Sequence, residues 1–293
     1  MIKSLIQLIR PAQWLKNVFV FLPMFFGGHL TNGENWLESI IAFFAFAFAA
    51  SAIYCLNDIK DIEADRLHPE KRSRPLASGL ISVRMAAITM IILMGASIGF
   101  CFIFPFPVSI KALIIILIYL ILNTCYCFRL KQIAIIDVMI VAFGFVLRLL
   151  LGGVVCSIWL SPWIVCLTFL LALFLAFAKR RDDVVILNQT GVLTRKNIKN
   201  YNLEFLNQTL GILGAVTIVC YIMYTLSPEV MERLGSEYLY ITSVFVIGCI
   251  LRYLQLAIVS KSVGSPTKVL YRDRFIQIMI VSWLAVFIVI LYL

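Results

Sequence analysis

Residues 40–65 read Ile40-Ile41-Ala42-Phe43-Phe44-Ala45-Phe46-Ala47-Phe48-Ala49-Ala50-Ser51-Ala52-Ile53-Tyr54-Cys55-Leu56 and then Asn57-Asp58-Ile59-Lys60-Asp61-Ile62-Glu63-Ala64-Asp65. Nothing from Ile40 to Leu56 is charged, as a membrane span of about 20 apolar residues requires. A carboxylate cluster at the end of such a run must face water or hold a cation, because unpaired charge in hydrocarbon is expensive. On a helix, Asp58, Asp61 and Asp65 fall at i, i+3 and i+7 and share one face about two turns long, while Glu63 points elsewhere. Three hard oxygen anions beside Asn57 suit Mg2+, which takes a few carboxylates and fills its other positions with water and substrate phosphate. The competing reading is a solvated helix end on which Lys60 and Arg66 pair locally. Acids at 58, 61, 63, 65 and 70 in a chain only 14% charged favour the metal-binding reading.

Hydrophobic content of 62% and a mean hydropathy of +1.00 over 293 residues exclude an ordinary soluble domain. The pattern predicts an all-α polytopic membrane protein, because a lipid-exposed span must satisfy its own backbone hydrogen bonds. About nine stretches qualify as spans: 18–30, 37–57, 84–104, 108–128, 133–151, 158–178, 207–227, 239–259 and 275–293. Residues 1–293 then form a single transmembrane domain around a central polar cavity open to the cytoplasm. The cytoplasmic regions 57–83, 179–206 and 260–274 are expected to cap it. Of the 25 Lys and Arg residues, all but Lys111, Arg233 and the intramembrane Arg148 fall on one side of this scheme. The positive-inside rule therefore puts the N-terminus in the cytoplasm and the C-terminus outside, in the plasma (inner) membrane.

The net charge of +10 is mostly this topology signal. It gives nucleic acid binding no support and suits anionic lipid head groups and phosphorylated substrates. All eight cysteines lie in apolar stretches without ligand-like companions and read as small buried hydrophobes. Cys125 and Cys127 point to different helix faces, against a metal clip. His29 and His68 are too few for a histidine-based site.

Ile2, Leu5, Ile6 and Ile9 make one helical stripe, suited to a short interfacial helix that Pro11 ends. Arg10-Pro11-Ala12-Gln13-Trp14-Leu15-Lys16-Asn17 follows, read either as a Trp/Lys anchor or as a ligand-facing segment. The loop Lys71-Arg72-Ser73-Arg74-Pro75 brings three cations just after the carboxylates, where a metal-bound diphosphate would need them. Asp137 and Arg148 are both intramembrane charges. They stand too far apart along one helix to touch, so each is expected to find a partner on another element. Gly152-Gly153 permits close helix approach or a break. Lys179-Arg180-Arg181-Asp182-Asp183 ends the sixth span, and 184–206 is expected to form a short helix or lid. Arg272-Asp273-Arg274 either locks a turn by local ion pairs or reaches phosphate.

Asn57-Asp58-x-x-Asp61-x-x-x-Asp65 at the end of the second span resembles the first acidic motif of the UbiA-type intramembrane prenyltransferase superfamily, and Tyr126-x-x-x-Leu130-Lys131 also matches it. The superfamily's second acidic motif is replaced here by Lys179-Arg180-Arg181-Asp182-Asp183. With Arg10-Pro11-x-Gln13-Trp14-x-Lys16-Asn17, Phe145-Val146-Leu147-Arg148 and Arg272-Asp273-Arg274, that substitution resembles the decaprenyl-phosphate phosphoribosyltransferase branch. The resemblance implies transfer of 5-phosphoribose from phosphoribosyl diphosphate to a polyprenyl (decaprenyl-type) phosphate with release of diphosphate, dependent on Mg2+.

On that resemblance Asp58, Asp61 and Lys131 are the catalytic candidates, and Asp58, Asp61 and Asp65 with Asn57 hold the metal. Lys131, Arg72 and Arg74 reach diphosphate oxygens, with Tyr126 in the same motif. Lys179, Arg180 and Arg181 take the 5-phosphate or the acceptor phosphate, and Asp182 the ribose hydroxyls. Lys16 and Asn17 close the site, and Arg148 lies deeper in the polar cavity. The lipid would enter through a lateral opening between helices, and a homo-oligomer is compatible with the sequence. Three alternatives stay open: prenyl transfer from a prenyl diphosphate to an aromatic or other small acceptor, a transporter or channel using Asp137 and Arg148, and an assembly factor whose charged loops are docking surface.

Overall fold

The computed structural model describes residues 2–67, 71–191, 196–259, 269 and 272–292, and within these every regular element is helical. His68, Arg195, Gly264-Ser265-Pro266 and most of the expected 260–274 cap segment lie outside the described residues. The chain divides into two compact units, Met1–Lys131 with Leu147–Trp159, and Gln132–Val146 with Leu160–Leu293.

In the first unit α1 (Ile2–Ile9) precedes a 3-10 helix, Pro11–Phe21, and the short α2 (Leu22–Phe26). α3 (Gly33–Lys60), α4 (Ile62–Leu67), α5 (Val83–Cys101) and α6 (Val108–Phe128) follow. The last turns of α7 (Ile136–Val155) also belong here. α3 is the centre. Asn32 caps it by accepting from the Glu34 N–H at 3.0 Å. Ala42, Ala45, Ala49 and Ala52 are all but fully buried. Those small side chains let α5 approach closely enough for Ser97 Oγ to donate to the Ala45 carbonyl at 2.7 Å. The amphipathic α1 forms as expected and docks through Leu8, buried against Ala52, Cys55 and Leu76.

The second unit holds the start of α7, α8 (Pro162–Thr190), α9 (Leu203–Thr225), α10 (Pro228–Leu234), α11 (Ser243–Ile258) and α12 (Arg274–Tyr292). Its core runs through Val138, Phe174, Phe177, Leu206, Leu210 and Tyr253.

Eight helical stretches among the described residues are long and apolar enough to cross a membrane, not nine. The chain is a multi-pass membrane protein. The span expected at 18–30 is not an α-helix. Pro11–Phe21 winds as 3-10 helix and only Leu22–Phe26 is α-helical. This segment nonetheless runs antiparallel to α3: Trp14 Nε1 donates to Ser51 Oγ at 2.9 Å, Phe21 packs at a tilt against Phe43 and Trp36, and Trp36 Nε1 donates to the Leu30 carbonyl. At about 2.0 Å per 3-10 residue and 1.5 Å per α residue it covers roughly 30 Å, the thickness of the hydrocarbon core.

A second difference lies at 179–206, expected as a cytoplasmic loop region with a short helix or lid at 184–206. α8 continues to Thr190, ending where Gly191 takes φ +69. Lys179 to Asp183 therefore sit on a rigid helix.

Candidate functional site

α3 delivers Asn57 and Asp58 on its last turn. Asp61 stands at the break before α4 with φ −99 and ψ 9, so the carboxylates are not on one uninterrupted helix. The i→i−4 ladder still bridges the break, Asp61 N–H to the Asn57 carbonyl at 3.0 Å and Asp65 N–H to the Asp61 carbonyl at 2.8 Å. The register of the acids is thereby kept.

Each carboxylate meets a cation. Arg74 Nη1 bridges Asp65 at 2.6 Å and Asp58 at 3.2 Å. Lys131 Nζ donates to both Asp61 oxygens at 2.6 and 2.8 Å and to Asn57 Oδ1 at 3.3 Å. Arg10 Nη2 donates to Asp58 Oδ1. Asp58 and Asp65 are buried, whereas the Asp61 side chain is 30% exposed. The local pairing considered for Lys60 and Arg66 does not supply these partners: Lys60 lies over the Phe128 ring and Arg66 Nε donates to the Ala77 carbonyl.

Arg10 was not anticipated as a site residue. It adopts the left-handed region, φ 56 and ψ 61, between α1 and the 3-10 helix, and lies over the Tyr54 ring at 5.1 Å. That conformation is costly for a non-glycine residue and persists only where surrounding contacts over-determine it. Its ion pair with buried Asp58 is such a contact.

No three His, Cys, Asp or Glu side chains converge as a metal site among the described residues. The donor set nevertheless fits Mg2+. Three carboxylates and an amide oxygen are hard ligands. Arg74 already joins Asp58 to Asp65, and Lys131 joins Asp61 to Asn57, so one cation can reach two of the ligands at a time.

Further down the first unit, Arg148 Nε donates to Asn17 Oδ1 at 2.8 Å, and its guanidinium lies 4.4 Å from the Phe46 ring centre and 5.2 Å from that of Tyr119. Both polar residues are buried. Gly152, one turn on, packs so closely that a Cβ there would stand 2.0 Å from the Val20 carbonyl oxygen. Gly152 thus serves close approach, and α7 runs through the glycine pair unbroken. Among the other candidates Lys16 and Arg72 are exposed, and Tyr126 is half-buried against the core of this unit.

In the second unit Arg180 donates through Nε to Asp137 at 2.7 Å and through Nη1 to Asp183 at 3.0 Å, with Arg180 and Asp137 both buried. Asp137 and Arg148 thus find separate partners on other elements, as their spacing along α7 requires. Tyr201 adds a third group. Its hydroxyl donates to Asp137 at 3.2 Å and accepts from the Ile135 N–H at 2.6 Å, and burial pushes its pKa up to about 12. Ile135 is a β-branched residue at φ +69, a strained position that this hydrogen bond helps hold.

Arg181, its neighbour, is buried and donates to Asn207 Oδ1 at 2.7 Å. Asp182 is half-buried and Lys179 exposed. The three consecutive cations therefore have three different environments. Near the last helix Asp273 accepts from Arg252 at 2.7 and 3.1 Å and from the Ile276 N–H at 3.0 Å. The Arg252 hydrogen bonds hold its carboxyl below the usual carboxylate range. The Arg-Asp-Arg run is thus tied to the preceding helix, not locked by pairing within itself.

Eight helices long and apolar enough to cross a membrane, a carboxylate layer at the end of α3 and a charged run within α8 define an intramembrane scaffold. The UbiA prenyltransferase family matches residues 20–193, and the chain belongs to that family. It is 32% identical over 292 residues to the decaprenyl-phosphate phosphoribosyltransferase of Corynebacterium glutamicum, covering 99% of this chain and 87% of that protein. It is 30% identical over 294 residues to the protein of the same name from Mycolicibacterium smegmatis, covering 97% and 91%. In fold it is similar to a UbiA homolog from Archaeoglobus fulgidus solved bound to GPP and Mg2+, with a TM-score of 0.73, 21% identity and coverage of 99% and 100%.

Proposed function

We propose that the chain transfers 5-phosphoribose from phosphoribosyl diphosphate to a polyprenyl phosphate, releasing diphosphate on the cytoplasmic side of the membrane. The observation that carries this reading is the near full-length likeness to two decaprenyl-phosphate phosphoribosyltransferases. The chemistry of the charged residues supports it. A phosphoribosyl donor carries a diphosphate, and the carboxylate layer at the end of α3 offers hard oxygen ligands for a metal on that diphosphate.

Asp58, Asp61 and Asp65, with Asn57, would hold Mg2+. Bound there, the metal supplies charge neutralisation to the leaving diphosphate. Lys131 and Arg74, which in the free protein satisfy these carboxylates, are long enough to turn to diphosphate oxygens once the acids are otherwise neutralised. They then stabilise charge where it develops as the C1–O bond to diphosphate breaks and the electron pair leaves with the diphosphate oxygen. An oxygen of the lipid phosphate forms the new bond at C1 from the opposite face, inverting that centre. The acceptor is already an anion, so no general base is required.

Purified protein in detergent should convert labelled phosphoribosyl diphosphate and a polyprenyl phosphate into a labelled lipid, and EDTA should abolish the reaction. Labelling from a prenyl diphosphate and an aromatic acceptor, with none from phosphoribosyl diphosphate, would replace this reading with prenyl transfer.

A further inference from the structure

Among the described residues, the second unit contains buried donors without a hydrogen-bond partner. On α8, Phe174, Phe177, Ala178, Arg181 and Val184 recur at helical spacing and form one stripe. Tyr253 of α11 packs in the same core, its ring centre 5.3 Å from that of Phe174. Arg181 is 3% exposed and Tyr253 7%. Arg181 Nε is satisfied by Asn207, but Nη1 and the Tyr253 hydroxyl have no hydrogen-bond partner among the described residues. Tyr253 interacts electrostatically with both Arg181 and Asp182, so the three groups belong to one neighbourhood. Asp182 offsets part of the charge without bonding either orphaned donor.

Buried polar groups are normally paired, and a guanidinium and a phenol left with free donors in apolar surroundings mark a place where an acceptor is missing. Arg180 cannot be that donor, since Asp137 and Asp183 hold it. We propose that Arg181 and Tyr253, with Asn207 bracing the guanidinium, form a phosphate site that binds the phosphomonoester group of a substrate. The proposal rests on the phosphoribosyl-transfer reading only for which phosphate arrives: the 5-phosphate of the donor or the phosphate of the lipid acceptor. Asp182 beside the site favours the donor, because a carboxylate accepts from a ribose hydroxyl, which the lipid phosphate lacks.

The test uses the full-length protein in detergent and the variant Tyr253→Phe, which removes one hydroxyl and no carbon. Binding of ribose 5-phosphate and of farnesyl phosphate is measured by titration calorimetry, and melting temperature is followed without ligand. Tyr253→Phe should weaken one of the two ligands about tenfold or more, the loss expected for a hydrogen bond to a charged group. Its ligand-free melting temperature should not fall, since the hydroxyl has no hydrogen-bond partner among the described residues. Weakened ribose 5-phosphate assigns the site to the donor, and weakened farnesyl phosphate to the acceptor. Unchanged affinity for both, failure of the wild-type protein to bind either, or a ligand-free melting temperature that drops with the affinity would overturn the proposal. If the wild-type protein makes no phosphoribosyl lipid yet Tyr253→Phe still weakens phosphate binding, the transfer reading fails and the site stands. If transfer proceeds and Tyr253→Phe changes the KM of neither substrate, the site falls and the transfer reading stands.

Discussion

Lys131 donates to both oxygens of Asp61, a carboxylate 30% exposed to solvent. A pair so placed contributes no more than about 1 kcal/mol to stability, so its reason for being is to be sought in the reaction. Lys131→Met should leave the melting temperature within a few degrees of the wild type and lower kcat/KM by about 100-fold, as loss of one preorganised charge from a transition state does. An equal fall in both quantities would make Lys131 a structural residue. The acids themselves were readable because their signal is local: residue type and spacing over nine positions. Arg10 was not, because 48 residues separate it from Asp58 and only the left-handed turn before Pro11 brings it there. Tyr201 and Asn207 were missed for the same reason, each meeting its partner only through the packing of α7, α8 and α9.

Helices show the same division between local and distant causes. α6 was expected at 108–128 and found there, since its run of apolar residues has turn-forming prolines at 105 and 107 before it and charge after it. The span expected at 18–30 is not found as an α-helix, because the 3-10 segment of eleven residues spans more distance per residue than an α-helix and has no 3.6-residue hydrophobic signature. What holds it against α7 is backbone contact at Gly152, and Gly152→Ala should destabilise the protein by about 1–3 kcal/mol, the cost of forcing a methyl into packed atoms. Gly95→Ala in α5, where an added Cβ would meet nothing within 4 Å, is the matched control and should cost nothing. Thermal denaturation of the two variants in detergent makes the comparison.

For the whole molecule, we propose from the placement of Lys and Arg on alternate connections that the 57–83 region lies in the cytoplasm and the connection carrying Arg233 outside. On intact cells, Glu237→Cys should react with a membrane-impermeant maleimide above the background of the eight native cysteines, and Ser78→Cys only after the membrane is opened. The reverse pattern would invert the proposed topology. Composition alone determined that this is a helical membrane protein, because no other arrangement satisfies the backbone of so many apolar stretches in hydrocarbon. Motif spacing alone determined which acids share a place at the end of α3. The tertiary structure decided which cation serves which acid, that Arg180 is held by Asp137 and Asp183 while Arg181 Nη1 has no hydrogen-bond partner among the described residues, and that Pro11–Phe21 winds as 3-10 helix. Those outcomes depend on contacts between residues far apart in sequence, whose energies no local pattern of residue types records.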